Sequence, residues 1–201
     1  ALSSVARNKS VDRTIPRSLR AALQGCTIVC LGANAIASGS DTAFVIPLKS
    51  DPPPAVDGQL NEWLNRPGAI VLDLREQVTW GGNTWKSTAD LSARAWGAWR
   101  PDTLYLAASV RDNQLRQSQR GHDLWRGDHV MLFLDVAPDD EPQRDVFGRG
   151  QLQIAFSPGN FQHSGDLLTD CPPEAYCFKP ADLGVKGVLV AAQQNDHGYT
   201  L

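Results

Sequence analysis

Trp125, in Trp-Arg-Gly-Asp over 125–128, and Trp85, close to Gly81-Gly82, both stand among polar residues. An indole left facing water stacks well on the apolar C–H face of a sugar ring. These two are therefore the candidate platforms for a lectin-like role. Trp63, Trp96 and Trp99 fall in anchor or hairpin patterns and are expected in the core. Asp57, Asp112, Asp128 and Asp135 stand at strand ends where loops converge. Carboxylate oxygens so placed would suit calcium as a cofactor, with Asp57, Asp112 and Asp135 as its ligands. Asp139-Asp140-Glu141 reads as a solvated loop. For catalysis, no carboxylate pair is singled out for glycoside hydrolysis. His122, His129, His163 and His197 lack zinc spacing, and Ser157-Pro158-Gly159 is no nucleophile elbow. The chain itself is not expected to be an enzyme, although one is readily imagined fused to it.

The elements that must position these groups alternate with period two. Leu124 to Val136 turns at Gly127-Asp128 and then sets Val130, Leu132 and Leu134 against His129, Met131, Phe133 and Asp135. The first set is expected in the core. The second, beside Trp125, is the face expected to carry function. Leu91–Trp99 and Leu104–Val110 make a hairpin through Arg100-Pro101-Asp102-Thr103, where proline suits a type I turn. Strands are also expected over Ile70–Leu74, Gln151–Phe156 and Val185–Ala192, with residues 75–90 and 112–123 as loops. Thirteen prolines, seventeen glycines and closely spaced turns predict an all-β fold, an antiparallel, jelly-roll-like β-sandwich.

Charge is uneven along the 201 residues. The first twenty hold five basic groups and one acidic group, which leaves 14 basic and 21 acidic residues, net −7, on 21–201. An acidic body without basic clusters argues against nucleic acid as a partner. Residues 21–37 are mildly apolar, follow Arg17 and Arg20, and end in Ala35-Ile36-Ala37, which reads as a signal peptide. Gln24 and Asn34 argue against a membrane anchor, and no membrane insertion of the mature domain is expected. The expected organisation is a basic leader and signal over 1–37, a linker over 38–49 and a sandwich over 50–201. The product would be secreted, periplasmic or at the cell surface. Met131 is the only methionine, and Gly198-Tyr199-Thr200 reads as a strand opening, so the chain is taken as a fragment truncated at its C-terminus. Cys171 and Cys177 would outlast the leader's Cys26 and Cys30. In an oxidising compartment they are candidates for a small disulfide loop, whose geometry the spacing leaves open.

Val56-Asp57-Gly58 with Glu62-Trp63, Trp99 to Leu106 with Val110-Arg111-Asp112, Trp125 to Val130 with Phe133-Leu134-Asp135, Gln153 to Gly159, and Gly198-Tyr199-Thr200 occur in one order. Together they resemble the family nine carbohydrate-binding modules over roughly 50–201, an incomplete copy lacking the last strands. The resemblance implies an antiparallel sandwich, often calcium-bound, attached to exported polysaccharide-degrading enzymes or set in larger secreted proteins. It places Trp125 at one of two sugar-stacking tryptophans. It also sets Met131 where the family carries a glutamate and Gln153 where it carries an arginine. A thioether cannot accept hydroxyl hydrogen bonds as a carboxylate does.

The expected function is glycan binding by an exported, non-catalytic module serving polysaccharide degradation. Trp125 and Trp85 would stack on sugar, Arg126 and Gln153 would donate hydrogen bonds, and Asp128 would accept them. Two alternatives remain. Some sandwich relatives bind b-type haem for electron transfer, with Met131 a candidate axial ligand and His163, not the same-face His129, its partner. The other is a structural interaction module whose Met131 and Phe133 are covered by a neighbouring domain.

Overall fold

The computed structural model describes residues 27–28, 52–79, 81–136, 146–162, 164–166, 169–181 and 183–201. Apart from Thr27–Ile28, the expected leader over 1–37 and linker over 38–49 lie outside these residues, as do Trp80, the acidic loop at 139–141 and His163. The described chain is nearly all β, in two sheets, as the alternation predicts. One sheet holds β2 (Ile70–Leu72), β3 (Leu91–Arg100), β4 (Thr103–Asp112), β9 (Gly198–Thr200) and β8 (Gln193–Asn195), all antiparallel and adjacent in that order. The other holds β1 (Thr27–Ile28), β5 (Val130–Asp135), β6 (Gln151–Ser157) and β7 (Glu174–Lys179) in that order. There β1 runs parallel to β5, while β5, β6 and β7 are antiparallel neighbours.

The predicted hairpin forms in the expected register, Arg100 facing Thr103 across Pro101-Asp102. Its inward residues Ala93, Ala95, Ala108 and Val110 pack with Tyr199 and, from the opposite sheet, Val130. This is the core between the sheets. The outward residues Trp96, Ala98 and Ala107 are buried as well, because Leu60 and Trp63 lie over them. The segment carrying that pair is folded by its own polar groups. Asp57 Oδ1 accepts from the Gln59 N–H (2.8 Å), the Trp63 N–H donates to the Leu60 carbonyl (2.8 Å), and the Ala55 N–H donates to Glu62 Oε1 (2.7 Å). The Arg66 guanidinium lies over the Trp63 ring at 5.1 Å. The five-stranded sheet is thus covered on both faces there.

Several expectations need correction. Trp99, expected in the core, is 44% exposed, and Leu104 opposite it is 41% exposed, because inter-sheet contact gives out at the hairpin tip. Val185–Ala192 forms no strand. Gly187 (φ +83°) turns the chain, with the Val188 N–H donating to the Val185 carbonyl, and the strand begins instead at Gln193. β7 (Glu174–Lys179) takes in the second half of the Cys171–Cys177 stretch, the candidate for a small disulfide loop. Both of those cysteines are buried, unlinked thiols, and Cys177 Sγ donates to the Lys179 carbonyl (3.1 Å).

Trp63 and Trp99 therefore make unequal contributions to stability. Trp63→Ala should cost about 3–5 kcal/mol through loss of burial and the cavity left behind. Trp99→Ala should cost about 1 kcal/mol or less. Urea unfolding of the two variants checks the order.

Candidate functional site

β5 was expected to have one core face and one functional face, and the structure buries both. On the outward face, Met131 faces Ala155 and Phe133 faces Gln153 on β6, and Ala155 faces Tyr176 on β7. The 3-10 helix Gly121–Arg126 lies over these strands. Its Leu124 packs with Met131 and Ala155, with Phe133, Tyr176 and Phe178 around them. The Gly121 N–H donates to Glu174 Oε1 (2.9 Å), and the His122 ring meets the rings of Tyr176 and Phe178 edge-on, each at 5.9 Å. Met131 is 1% exposed and Gln153 2%, and Gln153 Nε2 donates to Met131 Sδ (3.1 Å). Gln153 therefore spends its amide N–H inside the packing rather than towards a sugar. The Met131 sulfur is likewise enclosed by protein on the side where a haem would have to approach.

Above this packed face, the chain from Leu115 to Asp128 is a buttressed loop, although its sequence reads as solvated and polar. The Asp128 N–H donates to the Arg116 carbonyl (2.8 Å), and the Arg116 N–H donates to Asp128 Oδ2. Gln117 is buried; its Nε2 donates to the carbonyls of Leu124 (3.1 Å) and Asp128 (2.9 Å), and its Oε1 accepts from the Gln119 N–H (2.9 Å). Any Cβ at Gly127 would strike the Gln117 side chain and, at 2.7 Å, the Arg116 carbonyl, so this close crossing requires glycine. His129 is also buried, with Nδ1–H donating to the Gly127 carbonyl (2.8 Å).

A cleft of about 730 Å³ opens beside this loop, lined by residues 115–118, Arg126, Gly127, Asn160, Gln162 and Thr169. Its far wall is held by Asn160. Asn160 Nδ2 donates to the Thr169 carbonyl (2.7 Å), and its Oδ1 accepts from the N–H groups of Gln162 (3.1 Å) and Cys171 (3.0 Å). Between Asn160 and Gln162, Phe161 adopts φ +56°, a left-handed conformation costly for a bulky residue, while its side chain packs against the inter-sheet core. Arg126 stands at the rim, its guanidinium 5.2 Å from the centre of the half-buried Trp125 ring and 3.5 Å from Asp123.

Of the expected site residues, the structure brings Trp125, Arg126 and Asp128 together in one loop. Asp128 serves there as a buried brace. Trp85 lies in the irregular segment before β3, where its indole N–H donates to the Leu91 carbonyl (2.8 Å) as that strand begins. Asp57 lies in a turn, Asp112 ends β4 and Asp135 ends β5, accepting respectively from the Gln59 N–H (2.8 Å), the Gln114 N–H (2.7 Å) and Gln151 Nε2 (2.7 Å). Among the described residues, no three His, Cys, Asp or Glu side chains gather into a group that could hold a metal. The cleft residues that sequence reading missed are Arg116, Gln117, Asn160 and Gln162. Only the Arg-Gly-Asp turn beside Trp125 pointed towards them.

Two neighbouring buried groups titrate abnormally. Burial pushes the Asp128 carboxyl up to about 7, with the Arg116 N–H opposing, the Asp112 charge adding and the Arg116 guanidinium opposing. Burial pushes His129 down to about 4, and its bond to Gly127 only partly offsets this. Burial also raises Asp112.

The sequence profile of the family described as "Carbohydrate family 9 binding domain-like" matches residues 56–201. No curated protein and no solved structure matches the chain.

The two titrations act against each other on stability. Between the ordinary carboxylate value of 3.8 and about 7, the folded chain holds a proton on Asp128 that the unfolded chain has lost. That contribution therefore falls as pH rises through this window. Between about 4 and 6.5, the unfolded chain holds a proton on His129 that the folded chain refuses, so this contribution rises with pH. Each slope is at most about 1.4 kcal/mol per pH unit. Urea midpoints of the intact protein should change little between pH 4.5 and 6.5. His129→Gln should expose the falling slope and Asp128→Asn the rising one. Parallel profiles for the wild type and both variants would refute this pairing.

Proposed function

Because this chain belongs to the carbohydrate family 9 binding domain-like family through residues 56–201, we propose that it holds glycan at the cleft beside Trp125. Domains of this family are binding modules that catalyse nothing. We further propose that this one works outside the cytoplasm, secreted, periplasmic or at the cell surface, as part of a larger protein that serves polysaccharide degradation. The observation that carries the binding reading is the cleft of about 730 Å³, braced by buried hydrogen bonds, with Arg126 in its lining and the Trp125 ring 5.2 Å from that guanidinium. Trp125 stacks on the sugar ring and Arg126 donates to its oxygens. Asp128 and Gln117 hold the backbone that carries both side chains, so that the loop itself need not be ordered when sugar arrives.

Truncating the ring should remove the stacking contact, about 0.5–1.5 kcal/mol, and weaken oligosaccharide binding up to about tenfold with little change in melting temperature. Calorimetric titration of wild type and Trp125→Ala provides the measurement. A folded variant with undiminished affinity would rule out the stacking role.

A further inference from the structure

Once the bonds within the loops are counted, the described groups left to meet a ligand in this cleft are two arginines, the Gln162 amide and the Ser118 hydroxyl, so that its charged groups are all donors. Both polar ends of the Gln117 amide are spent on backbone, and so are those of Asn160. The Thr169 hydroxyl is engaged with Ser164 and the Asp166 carbonyl. Among the described residues, no carboxylate lines the cleft. Its charged lining is Arg116, whose guanidinium donates to Gln114 Oε1 (2.6 Å), and Arg126, whose contact with Asp123 is solvent-exposed. An exposed ion pair of that kind is worth little and exchanges readily for another anion. A guanidinium has five donors and no acceptor, whereas a neutral sugar hydroxyl is best held by a group that also accepts its proton. The one acidic side chain bonded into the Arg116 backbone, Asp128, carries less than a full negative charge at neutral pH.

We propose that the cleft between Arg116 and Arg126 selects an anionic sugar residue, bearing a carboxylate or a sulfate ester, over a neutral one. The ligand then brings the negative charge that the described lining lacks, and an arginine fork matches a planar carboxylate in bidentate fashion. This rests on the glycan-binding reading above and adds the class of glycan to it.

The test is calorimetric titration of the full chain with three oligosaccharides of equal length, one neutral, one of uronic acids and one sulfated, at low and high salt. The expected result is at least tenfold tighter binding of one or both anionic sugars, collapsing at high salt and in Arg116→Gln and Arg126→Gln. The uronide and sulfated arms separate the two sources of charge. Arg116→Lys, which keeps charge without the fork, should hurt the uronide more than the sulfated sugar. Both arginines are exposed, so unchanged melting temperatures should accompany these losses. Neutral sugar bound as tightly as the anionic ones, without salt dependence, overturns the selectivity and leaves glycan binding standing. No heat with any of the three overturns both.

Discussion

β5 is packed on two sides at once, and the arrangement of the site follows from that. Val130 faces the alanines of the five-stranded sheet, while Met131 faces Leu124. For Leu124 to reach Met131, the chain entering β5 must first cross back over β6 and β7. Only then does it enter the strand, turning at Gly127-Asp128. Such a crossing buries backbone, and buried backbone polar groups need partners. Gln117 and Asp128 provide them, tying Arg116, Gln119, Leu124 and each other. The cleft is the space this crossing leaves against the Asn160 wall. Its shape is therefore set by the demands of the sheet beneath it.

The polar groups of this region divide into two kinds. Those holding the loop are buried amides and acids bonded mainly to main chain, where burial makes each bond count and each loss expensive. The charged ones facing the opening, Arg116 and Arg126, are exposed and long, and their contacts with neighbours are at the surface. A braced frame with adaptable tips suits reversible binding. The strongly perturbed groups, Asp128 and His129, lie inside the frame.

Much of the fold was legible because period two is a local property. The β3–β4 hairpin, its proline turn, the strand after Asp128 and the order of motifs that resembled the family could all be read from neighbouring residues. What escaped reading depended on partners distant in sequence. Leu60 and Trp63 cover Trp96 from a segment more than thirty residues earlier, so apolar residues on both faces of β3 proved equally buried. Trp99 carries the same residue type one position past the fully buried Ala98 and is nevertheless 44% exposed. Gln117 looks like any loop glutamine until its carbonyl partners at 124 and 128 are placed around it. Trp125 was legible as a site residue because an indole beside Arg-Gly-Asp is conspicuous. Gln162 and Asn160 carried no such signal, since only the fold brings them opposite.

The two buried thiols give the domain an internal clock. Cys177 sits within β7, on the sheet's inward side opposite Ile154, and Cys171 sits where Asn160 ties down the cleft's far wall. Neither sulfur can meet a reagent in solution unless its own part of the structure opens, and such openings are local as well as global. Cys171 therefore times the release of the cleft wall, and Cys177 times the parting of the sheets. A glycan that bridges the cleft would slow the first clock while leaving the second running at its own rate.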